Sequence, residues 1–299
     1  MSQDARLAGR PLVKGFFEKR TSSVQYVVAD PDTKRCVIID PVLDFDPKSG
    51  ATATDSADEL LDHVRQEGFA LEWILDTHPH ADHFSAAGYL KEKTGAPTAI
   101  GEKVTEVQKL WQKIYNKDDT PANGTQWDRL FANGERFAIG ILEAEVLFTP
   151  GHTLASIAYL IGDAAFIHDT LFMPDGGTAR ADFPGGNAFE LWKSIQRIIA
   201  LPDATRLFTG HDYCPGGREP AWESTVAQQK AENTHLVKAK TEKDFVALRE
   251  QRDRDLPMPK LILHSLQVNI RGGRLPEPES NGTRYLKIPL DALKGAKWD

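Results

Sequence analysis

Cysteine is almost absent from this chain. The two among 299 residues, Cys36 and Cys214, exclude a disulfide framework and suit thiols in a reducing compartment. Positive charge is not in excess: 36 Lys and Arg against 43 Asp and Glu leave a formal net charge of −7, which argues against non-specific binding to nucleic acid. No apolar run reaches the ~18 residues that a membrane helix needs. Residues 1–10 are polar and lack the apolar centre of a secretory signal, and Asp4 speaks against a transit peptide. The expected setting is the cytoplasm, with neither membrane nor nucleic acid as partner. There is no fixed-period repeat and no low-complexity tract. What remains is an ordinary globular mixture, long enough for one large domain or two modest ones.

Histidine is what the chain concentrates. Three of its nine histidines fall within six residues, in Thr77-His78-Pro79-His80-Ala81-Asp82-His83, directly after the apolar run 71–75. A strand ending in such a cluster presents imidazoles and a carboxylate from one short loop. Those are the common protein donors to zinc and iron.

The pattern around this cluster alternates strands and helices. Residues 24–29 and 36–39 flank the turn Pro31-Asp32-Thr33 and read as a hairpin ending at Asp40-Pro41. Residues 44–55 read as a loop. Ser56 and Glu59 form a capping box for a helix whose stripe is Leu60, Leu61 and Val64, and Gly68 stops it. Downstream, the spacing predicts a helix at 85–94, a strand at 98–100, a helix at 103–115 and a surface loop over 116–135. Strands follow at 143–148, 157–161 and 164–167. A loop at 174–186, a helix at 188–199 and a strand at 206–209 complete the pattern. Beyond Pro220 come a charged helical stretch over 224–254 and a tail punctuated by Pro and Gly.

Four predicted strands finish at metal-competent residues: His78, His152, Asp169 and His211. A site built on strand ends is held rigidly while its loops vary. Asp40, also at a strand end, is expected to support the loop that carries the cluster. Trp111, Trp192 and Trp222 read as core or interface. Cys214 has no base specified beside it, and His63, His235 and His264 read as non-catalytic.

Asp40, His78-x-His80-x-Asp82-His83, His152, Asp169 and His211, in that order, resemble the metallo-β-lactamase superfamily. The resemblance covers roughly residues 13–215. It implies an α+β fold, the αββα sandwich, with a C-terminal helical and irregular extension over 216–299 that contributes to the substrate pocket and to a homodimer interface. In that superfamily, positions matching His78, His80 and His152 hold one metal, those matching Asp82, His83 and His211 hold a second, and that matching Asp169 bridges. Within the superfamily, several strings look like persulfide dioxygenases: Ala81 inside the cluster, Thr178-Ala179-Arg180-Ala181-Asp182-Phe183, His211-Asp212-Tyr213 and Val268-Asn269-Ile270-Arg271-Gly272-Gly273. The chain departs from the pattern by having His168 where many members carry Gly, and by its longer loop at 116–135 and longer tail.

That resemblance implies one Fe(2+) per chain, held by His78, His152 and Asp169, with His80, Asp82, His83 and His211 hydrogen-bonded around it. It implies oxidation of glutathione persulfide by O2 to sulfite and glutathione. Two histidines and a carboxylate leave three positions open, the facial arrangement of non-haem iron oxygenases. Arginine forks suit the carboxylates of glutathione, and Arg180 and Arg271 are candidates, with Tyr213 and Asn269 as hydrogen-bonding residues. The alternative is a glyoxalase II-type hydrolase of S-acylglutathione thioesters with two metals, where the metal would activate water. All seven potential ligands are present, so the residues alone leave both uses open. A non-enzymatic sensor of metal or persulfide is a third reading, against which the complete ligand set argues.

Overall fold

The computed structural model describes residues 9–117 and 121–293. Strands β1 (Leu12–Glu18), β2 (Ser23–Ala29), β3 (Arg35–Ile39), β4 (Val42–Asp46) and β5 (Ala51–Ala53) lead into helix α1 (Asp55–Gln66). Then follow β6 (Ala70–Leu75), β7 (Phe84–Ser85), α2 (Ala87–Thr94), β8 (Thr98–Gly101), α3 (Val104–Tyr115) and β9 (Arg129–Phe131). The second half opens with β10 (Arg136–Ile139), β11 (Leu142–Phe148), β12 (Ile157–Ile161) and β13 (Ala164–His168). It continues with α4 (Ala188–Ile199), β14 (Arg206–Thr209) and β15 (Glu223–Thr225). The last helices are α5 (Val226–Glu232), α6 (Thr234–Lys238), α7 (Glu242–Asp253) and α8 (Ile262–Asn269).

Two six-stranded sheets, ordered β1-β2-β3-β6-β8-β9 and β10-β11-β12-β13-β14-β15, form the middle layers. Alternate residues of β2 show why. Val24, Tyr26 and Val28 enter a cluster shared with Phe137, Val146, Tyr159 and Phe166 of the second sheet. Val27 and Ala29 face outward onto Leu60, Leu61 and Val64 of α1. Both faces are covered, so the strand is buried throughout. On the far side, Ala158, Ala165 and Leu207 pack under Leu191, Ile195 and Ile198 of α4 and under Phe245 of α7. The layers run helix, sheet, sheet, helix, as the resemblance implies. The second sheet extends to Thr225, past residue 215, and the C-terminal helices share its outer core.

Several local expectations are corrected. The capping box at Ser56 does not form. Thr54 occupies the N-cap position without a side-chain cap bond, and Asp44 of β4 accepts from Ser56 N at 3.0 Å and Ser56 Oγ at 2.7 Å. A carboxylate from another element satisfies the helix start instead of the local box. Residues 44–55 are largely a hairpin, with β4 antiparallel to β5, and Arg129–Phe131 within the expected 116–135 loop is an edge strand parallel to β8. Residues 118–120 of that loop lie outside the described residues. The charged stretch is three helices, separated where Asn233 and Thr241 cap new starts. The tail contains α8.

Candidate metal centre

The four metal-competent strand ends meet at one edge of the sandwich. β6 delivers the loop with His78, His80, Asp82 and His83. β11 delivers His152, β13 runs into Asp169, and β14 into His211. His78, His152 and Asp169 place two imidazole nitrogens and a carboxylate oxygen within 4.8 Å of one another. His80, Asp82, His83 and His211 form a second such group beside it. Asp169 Oδ2 lies 3.6 Å from His78 Nε2, 3.5 Å from His152 Nε2 and 3.5 Å from His211 Nε2, so it stands between the groups.

The imidazoles of His78, His152 and His211 are aimed by contacts at Nδ1. His152 Nδ1 donates to Arg180 O at 2.9 Å and His211 Nδ1 to Ser22 O at 3.2 Å, turning both Nε2 atoms inward. His78 Nδ1 is 3.0 Å from Thr77 Oγ1, which donates to Asp40 Oδ2 at 2.7 Å. Asp40 Oδ1 accepts from Thr77 N at 2.7 Å and lies 3.0 Å from His80 Nε2. Asp40 therefore supports the metal loop, as its position implies.

The donors fit a metal ion. His78 Nε2, His83 Nε2, His80 Nδ1 and Asp169 Oδ1 are buried without a hydrogen-bond partner. Buried polar atoms without partners are costly unless something else binds them. Burial first, then neighbouring imidazoles, holds His78 well below the ordinary imidazole range, and burial lowers His152 against the pull of Asp169. Both are thus neutral, with lone pairs available. Burial opposes charge on His80 too, but Asp40 outweighs it and pushes that imidazole up to about 9.

His168, the departure from glycine, has φ +40°, in the left-handed region that glycine enters without cost. Its Nδ1 accepts from Asp169 N, and its Nε2 lies 2.9 Å from Thr149 Oγ1 and 3.1 Å from Thr170 Oγ1. Those contacts offset the strained backbone and tie the Asp169 strand end to that of His152. Gly210 packs against the same point: a Cβ there would sit 2.7 Å from Asp169 Oδ1.

A cavity of about 920 Å3 opens over His152, Asp169 and Asp82. Phe45, Phe172, Phe183, Leu256, Met258 and Leu261 give it apolar walls. Tyr213 lines it, stacked on His211 with centroids 5.6 Å apart and rings 1° from parallel. Arg180 lines it as well, but its guanidinium is engaged by Asp182 at 2.7 and 2.8 Å and by Pro257 O at 2.5 Å. The structure does not bring Asn269 or Arg271 to this cavity. Asn269 is buried behind the metal loop, where its Nδ2 donates to His80 O at 2.7 Å and His83 O at 2.8 Å, and its Oδ1 accepts from Ser85 N at 2.8 Å. Arg271 follows α8 and does not line the cavity. Of the four exposed cations missed in the sequence that do line it, Arg20 is paired with Glu18 and Asp44, which leaves Lys48, Arg252 and Lys260. None of these three has an ion-pair partner among the described residues. Their only signal was charge, which every surface lysine and arginine shares.

His63, His235 and His264 lie outside these donor groups and outside a third, Asp40, Asp76 and His80. Trp111 and Trp192 pack in apolar clusters, as expected.

The chain is 69% identical, over 97% of its length and 67% of the relative's, to a beta-lactamase hydrolase-like protein of Agrobacterium fabrum, so it spans about two thirds of that relative. It is 25% identical to the persulfide dioxygenase ETHE1 of Bos taurus over 91% of this chain and 93% of that one. The crystal structure of ETHE1 from Myxococcus xanthus superposes with a TM-score of 0.70 at 30% identity, covering 88% of this chain and all of that one (100%). The family model of the metallo-beta-lactamase superfamily matches residues 19–211, the span that carries every donor from His78 to His211, and the chain belongs to that superfamily.

Proposed function

We propose that the chain is a glutathione-dependent persulfide dioxygenase with a single Fe(II) held by His78, His152 and Asp169. The observation that carries this reading is the composition of that group: two nitrogens and one carboxylate oxygen, with His80 turned to Asp40 rather than into the set. Bound there, the iron would supply three open positions and one-electron chemistry toward O2 and a thiol-derived sulfur. The residues do the rest. Asp40, Thr77, Ser22 and the Arg180 carbonyl fix the imidazoles, so the donors need no rearrangement. The apolar walls suit a sulfur chain. Lys48, Arg252 and Lys260 suit the two carboxylates of a glutathione moiety. The overall reaction balances as glutathione persulfide, O2 and water giving glutathione, sulfite and two protons.

The second reading, a two-metal thioester hydrolase, is favoured by the second donor group, His80, Asp82, His83 and His211, and by the hydrolase-like name of the Agrobacterium relative. Oxygen uptake by Fe(II)-loaded protein given glutathione persulfide, with sulfite and metal measured, separates the two. The expected result is one sulfite per O2 and one iron per chain. No uptake with reduced iron shown to be present, together with S-lactoylglutathione hydrolysis at two metals per chain, would establish the hydrolase instead.

A further inference from the structure

The C-terminal helices reach past the outer core into the loop that orients His152. Four backbone groups of residues 177–181 are held by their side chains. Asn233 Nδ2 donates to Gly177 O at 3.0 Å, and Thr178 N donates to His235 Nδ1 at 2.9 Å. Arg249 Nη1 donates to Thr178 O at 2.9 Å, and Ala181 N donates to Asp253 Oδ2 at 3.0 Å. The carbonyl of Arg180, inside this gripped run, is the group that accepts from His152 Nδ1.

Arg249 and Asp253 are the unusual members. They sit one turn apart on α7, are both buried, and pair through Nε and Nη2 to Oδ1 at 3.0 and 2.8 Å. A buried ion pair contributes little net stability against well-packed apolar residues, so stability alone explains its presence poorly. Each partner uses its remaining hydrogen-bonding capacity on the loop: the guanidinium on Thr178 O, the carboxylate on Ala181 N. The planar fork and the second carboxylate oxygen thus fix both ends of the peptide run that ends at the Arg180 carbonyl. A shift of that carbonyl would turn the imidazole and move Nε2 away from Asp169, which lies 3.5 Å off.

We infer that the Arg249–Asp253 pair is a positioning device for His152, by which the C-terminal helices set the affinity and geometry of the metal centre. It rests on the reading of His152 as a metal donor and on no choice between dioxygenase and hydrolase.

The test is metal binding by D253N. Asparagine keeps the size and can still accept from Arg249, but then turns an N–H toward the Ala181 N–H. Co(II) affinity by chelator competition and the Co(II) absorption spectrum are measured beside the melting temperature of the metal-free protein. The expected result is Co(II) binding roughly ten- to a hundred-fold weaker, with an altered spectrum, and partial recovery in D253E. Wild-type affinity and spectrum in a folded D253N, with only its melting temperature lowered, would overturn the inference and leave the pair as packing. Should D253N fail to fold, R249K decides. Lysine keeps the charge but lacks the fork that spans Asp253 and Thr178, so weakened Co(II) binding supports the inference and wild-type binding overturns it. Neither readout depends on turnover, so a chain that proved to be a hydrolase would leave the test intact.

Discussion

Asp40 stands at the end of β3 with φ +50°, and both of its oxygens are engaged by the metal loop. Its contact with His80 has a measurable cost and benefit. The imidazole titrates at about 9 in the folded, metal-free protein, above its ordinary 6.5. A raised folded pKa stabilises fully below the unfolded value and is lost as pH climbs through the folded one. Metal-free protein should therefore lose stability between pH 6.5 and 9, by on the order of 3 kcal/mol. Calorimetric melting across that window should show the fall, and H80Q should flatten it. A slope unchanged in H80Q would assign the titration elsewhere. At this scale the sequence was legible wherever a residue's type announced its chemistry. That His78, His152 and Asp169 would meet, and that Asp40 would support the loop carrying His78, could be read off it. Asn269 could not be placed, because an amide that grips two carbonyls nearly two hundred residues upstream looks the same in sequence as one that grips a substrate.

Doubly covered strands were readable because burial on both faces writes a nearly continuous apolar run, as in β13 and, interrupted by Gln25, in β2. Short strands were not. β5 and β9 have three residues each, too few to show a period, and form only because a neighbour offers its edge. The start of α1 was misplaced for a related reason, since Asp44 from β4 replaced the local cap. By contrast α4 starts at the predicted residue 188, capped by Asn187, whose Oδ1 accepts from Phe189 N at 2.9 Å and Glu190 N at 3.1 Å. N187A should destabilise the protein by about 1 kcal/mol. Urea unfolding should show a lower midpoint with an unchanged slope, because the helix loses a cap and not its buried face. A changed slope would mean that α4 detaches.

Across the whole molecule the formal charge is −7, yet the cavity mouth carries Lys48, Arg252 and Lys260 without ion-pair partners among the described residues. A cationic mouth in an acidic body focuses attraction on one place. If these cations receive an anionic thiol, R252A/K260A should raise KM several-fold and leave kcat nearly unchanged, because the contacts are equally present before and during reaction. Added salt should raise the wild-type KM and affect the variant less. A drop in kcat alone would place the two cations in the chemical step rather than at the entrance. The anchoring of the metal loop by Asn269 has a consequence for synthesis. Chains fold from the N-terminus as they leave the ribosome. The donors from His78 to His211 all emerge before the amide that holds the carbonyls of His80 and His83. A growing chain therefore exposes these donors before the amide that steadies their loop has been made.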